Sequence, residues 1–285
     1  MSAAVYGPYD QESLDLEYDM KRRCPHFAET FAHLESDNLR VVEDFDCRLD
    51  VPFGDSALQT LDIWPAKGGA PMLLFIHGGY WRAFDKAMFR YVVKQFVESG
   101  ACVVLNNYDL CPEVTMDQIA EQNRQAFAWI WNHADDLGCD RSRFFVTGHS
   151  AGGHLTAILA STNWPARGMP EDSIRAAFPL SGLFDLEPLR LCYLNDDLRM
   201  SESDSHRNSP VHMIPDLAPP MVVAVGGGET DEFKRQSRLY TDACLDKGLT
   251  AQYLELDNHD HVFAALEYTN AQSPLTTSIL TAFDA

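Results

Sequence analysis

Short, uninterrupted hydrophobic runs recur along the chain, separated by segments in which apolar residues repeat with helical spacing. Runs of this kind are typical of strands that are buried on both faces of a sheet. They predict strands at residues 72–76, 101–105, 144–147, 176–180 and 221–225, and a further strand is predicted at 251–256. Because strand and helix alternate, the pattern predicts an α/β fold with a mostly parallel central sheet and helices on both faces.

The helices predicted between these strands have recognisable ends. Thr115 and Gln118 form a capping-box pattern at the start of a helix that Gly138 would end. The other predicted helices span residues 86–98, 155–160 and 232–247, and a closing helix begins at residues 273–274. Two further segments, 44–51 and 57–64, flank a Gly-Asp turn and predict an antiparallel pair at the sheet edge.

Two segments lie outside this alternation of strands and helices. Residues 1–40 carry an amphipathic helix ahead of the sheet, and residues 182–215 form a long insertion after a predicted strand. Long insertions inside a compact domain are often lids or binding loops. We therefore expect one domain, residues 1–285, in which both segments form a small cap over the active site. The alternative is that they pack on the outside.

The charge of the chain bears on its partners. The 42 acidic residues outnumber the 22 basic ones, which gives a net charge of −20. Binding to nucleic acid requires clustered Lys and Arg, and an anionic membrane surface would repel this protein, so we expect neither partner. We expect a small-molecule substrate instead. The oligomeric state is left open, with a homodimer among the alternatives.

The cysteines and the N-terminal residues indicate a compartment. Seven cysteines are scattered along the chain without a CxxC pair, so neither a disulfide framework nor a zinc ribbon is expected. The first twenty residues lack the basic and apolar regions of a secretory signal, and no run of about twenty apolar residues occurs. Reduced thiols and these two features predict a cytoplasmic protein.

The sequence Gly-His-Ser-Ala-Gly-Gly at residues 148–153 lies between a predicted buried strand and an apolar helix. A nucleophile elbow needs this context: a strand that ends abruptly, a serine in a strained turn and a helix that starts at once. Glycines flank the serine because a side chain there would collide with neighbouring elements. We therefore expect an α/β-hydrolase fold in which Ser150 is the nucleophile and the helix N-terminus lies beside the developing oxyanion.

A second motif, His-Gly-Gly-Tyr-Trp at residues 77–81, directly follows the first long buried strand. In this position such a loop supplies amides to an oxyanion hole. The expected donors are the backbone N–H groups of Gly78, Gly79 and Ala151. We expect His77 to fix the turn by hydrogen bonding, since the chain order of this fold makes it a poor candidate for the catalytic base.

The same chain order places an acid and then a histidine after the nucleophile. Glu229 follows the strand at 221–225 and is the expected acid, whereas Asp231 is the alternative and also suits a helix N-cap. His261 follows the last strand and precedes an apolar pair, so it is preferred to His259 as the base. A metal site is not expected, because no matching set of ligands accompanies the two histidines.

Further motifs extend along the chain from about residue 44 to the C-terminus. They are HGGYW at 77–81, NYDLCPEVT at 107–115, GHSAGGHL at 148–155, SGLFDLEPL at 181–189 and EFKRQS at 232–237. Together they resemble the kynurenine formamidase (arylformamidase) branch of the α/β-hydrolases. That branch often carries Asp as the acid, so Glu229 is a departure that keeps Asp231 under consideration.

The resemblance implies hydrolysis of an N-formyl arylamine such as N-formylkynurenine through an acyl-enzyme, with no metal or organic cofactor. Tyr80 and Trp81 would then bind the substrate as aromatic walls, and packing beneath the loop is their alternative role. A carboxylesterase of short-chain or aryl esters would use the same residues and is the alternative function. A non-catalytic relative that binds a ligand through the cap is a further alternative.

Overall fold

The predicted apolar runs pair into a sheet in the computed structural model, which describes residues 3–284. The strands are β1 (Arg48–Pro52), β2 (Thr60–Trp64), β3 (Ala70–Ile76), β4 (Cys102–Asn106), β5 (Cys139–His149), β6 (Ala176–Leu180), β7 (Met221–Gly226) and β8 (Ala251–Leu256). Within the described residues they form one sheet in the order β1-β2-β4-β3-β5-β6-β7-β8. The predicted central sheet is therefore confirmed.

The direction of the strands determines where a site can form. β1 and β2 are antiparallel, as predicted, and β2 is also antiparallel to β4. From β4 through β3, β5, β6 and β7 to β8, every pair is parallel. The carboxyl ends of these parallel strands therefore meet at one edge, where ligands bind in sheets of this type.

Helices pack on the two faces of this sheet. They are α1 (Gln11–Tyr18), α2 (Met20–Arg23), α3 (Phe27–Asp44), α4 (Lys94–Glu98), α5 (Met116–Asn132), α6 (Ala151–Ala160), α7 (Glu187–Leu191), α8 (Asn195–Leu198), α9 (Glu202–Arg207), α10 (Asp231–Asp246), α11 (His261–Ala265) and α12 (Pro274–Phe283). Alternate residues of β3 enter two separate buried clusters, with Leu74 in one and Phe75 in the other. Among residues 3–284, no helix is long and apolar enough to cross a membrane.

The helix predicted over residues 86–98 is wrong as a single element. A 3₁₀ helix spans Lys86–Val92, and α4 follows it. Asn38 of α3 explains the break, because its amide donates to the carbonyl of Met88 at 3.1 Å and accepts the N–H of Tyr91 at 2.7 Å. These two backbone groups are therefore not available for the i→i−4 hydrogen bonds of an α-helix.

The amphipathic helix predicted within residues 1–40 is likewise divided into α1, α2 and α3. Asp19 ends α1 and begins α2, where its side chain accepts the N–H of Arg22. Pro25 then follows α2, and the residue before a proline avoids the helical region. The apolar positions still face inward, because Leu14 and Leu34 are buried.

Candidate active site

Ser150 occupies a strained turn between β5 and α6. Its backbone has φ 60° and ψ −120°, a region that a residue with a Cβ rarely adopts. Two hydrogen bonds hold this geometry: the N–H of Ser150 donates to Leu180 at 2.9 Å, and its carbonyl accepts the N–H of His154 at 3.1 Å. Strain of this kind persists only where the surroundings impose it, and it occurs at functional sites. The turn has the conformation expected of a nucleophile elbow.

The glycines around Ser150 allow the elbow to pack against neighbouring strands. A Cβ on Gly152 would lie 1.9 Å from the carbonyl oxygen of Ile76, at the end of β3. A Cβ on Gly153 would lie 2.6 Å from the carbonyl oxygen of Leu180, at the end of β6. Both obstacles are backbone atoms inside the sheet, so they cannot move aside easily.

We therefore expect Gly152→Ala to destabilise the protein by about 3 kcal/mol, as overpacking at a rigid position does. Urea unfolding of the purified variant would measure the free energy. Ala157→Gly, a change of one methyl group in the buried part of the same helix, is the matched control and should cost about 1 kcal/mol. A Gly152→Ala variant as stable as the wild type would contradict this packing argument.

The loop at residues 77–81 lies against Ser150. A Cβ on Gly78 would come within 3.0 Å of the Cβ of Ser150, and Gly79 has φ +117°. Among the contacts within residues 3–284, no protein acceptor takes the N–H of either glycine. Ala151 is the first residue of α6, whose N–H also lacks a helical partner. Gly78 and Ala151, two of the three residues predicted to donate to an oxyanion hole, therefore lie directly beside Ser150.

His77 is a structural part of this loop. Its Nε2 lies 3.0 Å from the side-chain oxygen of Asn107, and its ring stacks on Tyr108 with centroids 4.4 Å apart. The hydroxyl of Tyr108 donates to the carbonyl of His77 at 2.9 Å. Burial lowers the pKa of His77. The ring thus anchors the turn.

Glu229 and His261 form a buried acid–imidazole pair. Nδ1 of His261 lies 2.6 Å from Oε2 of Glu229, whose side chain is fully buried. Asp231 is the first residue of α10; its side chain is 84% exposed and lies 3.4 Å from the ammonium of Lys234. The structure therefore brings Glu229, and not Asp231, to the histidine.

His259 points to a different carboxylate. Its Nε2 lies 3.3 Å from Oε1 of Glu267, and its Nδ1 lies 2.7 Å from the carbonyl oxygen of Asp257. Within residues 3–284, no group of three His, Cys, Asp or Glu side chains is arranged to hold a metal ion. Of the two histidines, His261 therefore lies beside Glu229, and His259 does not.

The imidazole of His261 lies beside the elbow because His149, the residue before Ser150, packs on it. The centroids of the two imidazole rings are 4.5 Å apart. The ring of Phe233 also packs on His261, again with 4.5 Å between the centroids. Burial holds the pKa of His149 well below its usual value, so its ring is neutral near pH 7. His261 is therefore enclosed by an aromatic ring and a neutral imidazole.

Ser181 is the first residue of the SGLFDLEPL motif at 181–189, but the motif did not indicate a role for it. Its hydroxyl donates to Oε1 of Glu229, which also accepts the N–H of Gly226 at 2.8 Å. The available signal was its position: Ser181 directly follows β6, and so leaves the sheet at the edge where Ser150 follows β5. Topology alone places it there, because no local pattern marks a serine as the partner of a distant carboxylate.

The two aromatic residues of the loop have different surroundings. Trp81 is fully buried and meets the ring of His154 edge-on, with centroids 4.9 Å apart. For Trp81 the structure therefore favours packing beneath the loop over contact with a substrate. Tyr80 is only partly buried, and its hydroxyl donates to the carbonyl of Tyr18 at 3.0 Å.

The N-terminal segment joins the insertion to the region after the acid. The carbonyl of Tyr18 accepts the hydroxyl of Tyr193 at 3.3 Å, and the N–H of Tyr193 donates to Asp15 at 2.8 Å. The hydroxyl of Tyr18 donates to Glu232 in α10 at 3.1 Å. These contacts hold α1 between α10 and the insertion.

Comparison with known proteins agrees with this architecture. A family model described as alpha/beta hydrolase fold matches residues 73–265. The chain belongs to this α/β-hydrolase family. The structure of an esterase from Pyrobaculum calidifontis superposes on this chain with a TM-score of 0.75. The two sequences are 18% identical, and the match covers 96% of each chain. A protein from Silicibacter sp. TM1040 with a provisional thioesterase assignment gives a TM-score of 0.82 at 26% identity, covering 94% of this chain and 98% of that one.

Within the α/β-hydrolases, the chain is similar to kynurenine formamidases. The one from Danio rerio is 29% identical over an alignment of 284 positions that covers 95% of each chain. The one from Salmo salar is 30% identical over 241 residues, which covers 81% of this chain and 80% of the relative. The chain is therefore a kynurenine formamidase-like α/β-hydrolase, and the resemblance carried by the sequence motifs is confirmed.

Esterases are also among the relatives of this α/β-hydrolase. Esterase LipQ of Mycobacterium tuberculosis is 30% identical over 239 residues, covering 75% of this chain and 56% of the relative. Formamidases and esterases are both hydrolases. The prediction of an enzyme is therefore confirmed: the chain is a hydrolase that acts on esters or amides.

Proposed function

We propose that this hydrolase removes the formyl group from an N-formyl arylamine of the N-formylkynurenine type through a serine acyl-enzyme. The observation that carries the substrate class is the similarity, over 95% of both chains, to a relative named kynurenine formamidase. The pairing of Glu229 with His261 beside the elbow of Ser150 supports the mechanism.

In the first step, His261 takes the proton of Ser150 as the serine oxygen attacks the formyl carbon. Glu229 accepts the Nδ1–H of His261 at 2.6 Å. This bond selects the tautomer in which Nε2 is free to receive the proton, and the carboxylate then stabilises the imidazolium that forms. Burial of the pair strengthens this electrostatic effect, because little water screens it.

The carbonyl oxygen becomes an oxyanion in this step, and the amides of Gly78, Gly79 and Ala151 stabilise it. When the tetrahedral intermediate collapses, the imidazolium gives its proton to the arylamine nitrogen, which leaves as a neutral amine. The serine is left as a formyl ester. Water, deprotonated by the same imidazole, then attacks this ester and releases formate.

The aromatic surroundings of the site suit an aryl substrate. Phe233 packs on His261, and Tyr80 and Tyr193 both direct their hydroxyls to the carbonyl of Tyr18. Phe233 is fully buried, whereas Tyr80 and Tyr193 are only partly buried, so an aryl group of the substrate would pack against these two tyrosine rings. The tyrosine hydroxyls already have a hydrogen-bond partner. A formyl carbon, which carries only a hydrogen, needs little space beside the enclosed serine.

A carboxylesterase is the second candidate, favoured by the similarity to esterase LipQ. An ester would use the same nucleophile, base and oxyanion donors. Its alkoxide or phenoxide leaves more easily than an arylamine, which must be protonated first. The two candidates therefore differ in leaving group and not in mechanism.

The test is the ratio of kcat/KM for N-formylkynurenine to that for p-nitrophenyl acetate, measured on the wild-type protein. We expect the formamide to be preferred by at least about 100-fold, which corresponds to about 2.7 kcal/mol of transition-state binding. The Ser150→Ala variant measures the background for each substrate. Turnover of the ester alone would reject the formamidase and leave the carboxylesterase.

A further inference from the structure

The carboxylate of Glu229 is held by neutral donors on one oxygen and by the histidine on the other. Oε1 accepts the hydroxyl of Ser181 and the N–H of Gly226, whereas Oε2 accepts Nδ1 of His261. Among the ion pairs within residues 3–284, none joins Glu229 to Lys or Arg. A fully buried carboxylate without a cationic partner depends on its hydrogen bonds to stay ionised.

The backbone of Ser181 is specialised for this contact. Its φ is +50°, in the left-handed region that residues other than glycine rarely adopt. Its N–H donates to the carbonyl of Ala224 in β7 at 2.7 Å. The two donors to Oε1 thus come from the ends of the adjacent strands β6 and β7. The strained backbone of Ser181 occurs at the residue whose hydroxyl contacts Glu229, as is typical of strain at functional sites.

We propose that Ser181 is a positioning residue whose hydroxyl orients the Glu229 carboxylate and keeps it ionised beside His261. This inference rests on the proposed function, since it assigns a role within that mechanism. A glutamate has one more rotatable bond than an aspartate, and the hydroxyl and the amide together restrict that extra freedom. Oε1 is thereby occupied, and Oε2 is presented to the imidazole.

Other titratable groups also face the Glu229–His261 pair. His149 packs on His261 and has a pKa well below its usual value because of burial. Burial raises the pKa of Cys24 to about 11 and that of Tyr80 well above 10. Asp260, at the start of α11, lies 3.2 Å from His26. His149, Cys24 and Tyr80 would therefore not contribute to the acidic limb of kcat/KM between pH 5 and 8.

The experiment compares Ser181→Ala and Ser181→Gly with the wild type in the full-length protein. Both remove the hydroxyl, but glycine also relieves the strain at φ +50° and keeps the test available if the alanine variant folds poorly. We expect kcat/KM at pH 7 to fall by about 10- to 100-fold in both, with KM nearly unchanged. Loss of a donor makes the carboxylate more basic, so the acidic limb should move to higher pH.

Ser56→Ala is the matched control, because Ser56 also donates its hydroxyl to a carboxylate, Oδ1 of Asp109 at 2.7 Å, in another part of the chain. It should leave the rate and the acidic limb unchanged. A fall in rate with an unmoved limb would reduce Ser181 to a structural role and overturn the proposal. Full activity of Ser181→Gly would overturn it too, since only the backbone would then matter.

A readout without substrate separates this inference from the proposed function. The Nδ1–H proton of His261, shared at 2.6 Å with Glu229, should give a downfield proton NMR resonance that titrates with the pair. We expect its titration midpoint to rise in both Ser181 variants. Failure of the wild type to hydrolyse either substrate would reject the proposed function, whereas an unmoved midpoint would reject the role of Ser181.

Discussion

Replacing Ser150 by alanine is expected to lower kcat by about a million-fold, on whichever ester or formamide the wild type hydrolyses best. In the proposed mechanism the serine oxygen forms the acyl-enzyme, and the residues next to Ser150 on the elbow, His149 and Ala151, carry no hydroxyl or thiol that could replace it. The residual rate should exceed that in water, because the oxyanion donors and the binding surface remain. Steady-state and burst kinetics on the purified variant measure both quantities.

Two controls separate loss of the nucleophile from loss of the fold. The hydrogen bonds that hold the elbow use the backbone of Ser150, so alanine should leave the free energy of unfolding within about 1 kcal/mol of the wild type. Adding His261→Ala to Ser150→Ala should cause almost no further loss, because the two residues act as a unit. A single variant that keeps more than about 1% of the activity would show that Ser150 is not the nucleophile.

Replacing Glu229 by glutamine is expected to lower kcat by about ten-thousand-fold. The amide has the size of the carboxylate, and its oxygen can still accept from Ser181 and Gly226. Its NH₂ group then faces Nδ1 of His261, so the imidazole adopts the tautomer that blocks Nε2 from accepting a proton. Steady-state kinetics as a function of pH measure the effect. Glu229→Ala should also be nearly inactive, with added destabilisation from two buried donors left unpaired.

Asp231→Ala is the matched control for this second prediction, since Asp231 is the alternative acid in the sequence. Its side chain is 84% exposed and contacts Lys234 on the surface of α10, so activity should remain within about two-fold of the wild type. The reverse ranking of the two variants would assign the acid to Asp231.

The positions of the strands could be predicted from the sequence because each strand depends on a local pattern, whereas their order in the sheet comes from the structure. A strand buried on both faces must be apolar throughout, so the five runs that form β3 to β7 stand out without knowledge of their partners, whereas β8 lies at the sheet edge and is only partly buried. The turn that holds Ser150 needs small neighbours, and the glycines at 148, 152 and 153 mark it in the sequence. Short loops that follow parallel strands all leave the sheet at the same edge, so the expected site residues were predicted to meet.

The continuity of helices and the burial of individual side chains were harder to predict from the sequence. The pattern at residues 86–98 is helical, but Asn38 captures the backbone groups of Met88 and Tyr91 from a distant helix. Trp81 lies in a motif beside Ser150, yet its side chain packs on His154 in the core. In both cases a contact between distant residues overrides what the local pattern predicts.

The sequence by itself determined the α/β architecture, the strained turn of Ser150 and the loops that carry Glu229, Asp231 and His261. Only the tertiary structure decided which acid meets His261, and it added Ser181, which is 48 residues from Glu229 along the chain. The physical reason is that periodicity, capping and turn preferences act between near neighbours. The direction of a buried carboxylate depends instead on donors that separate strands bring together.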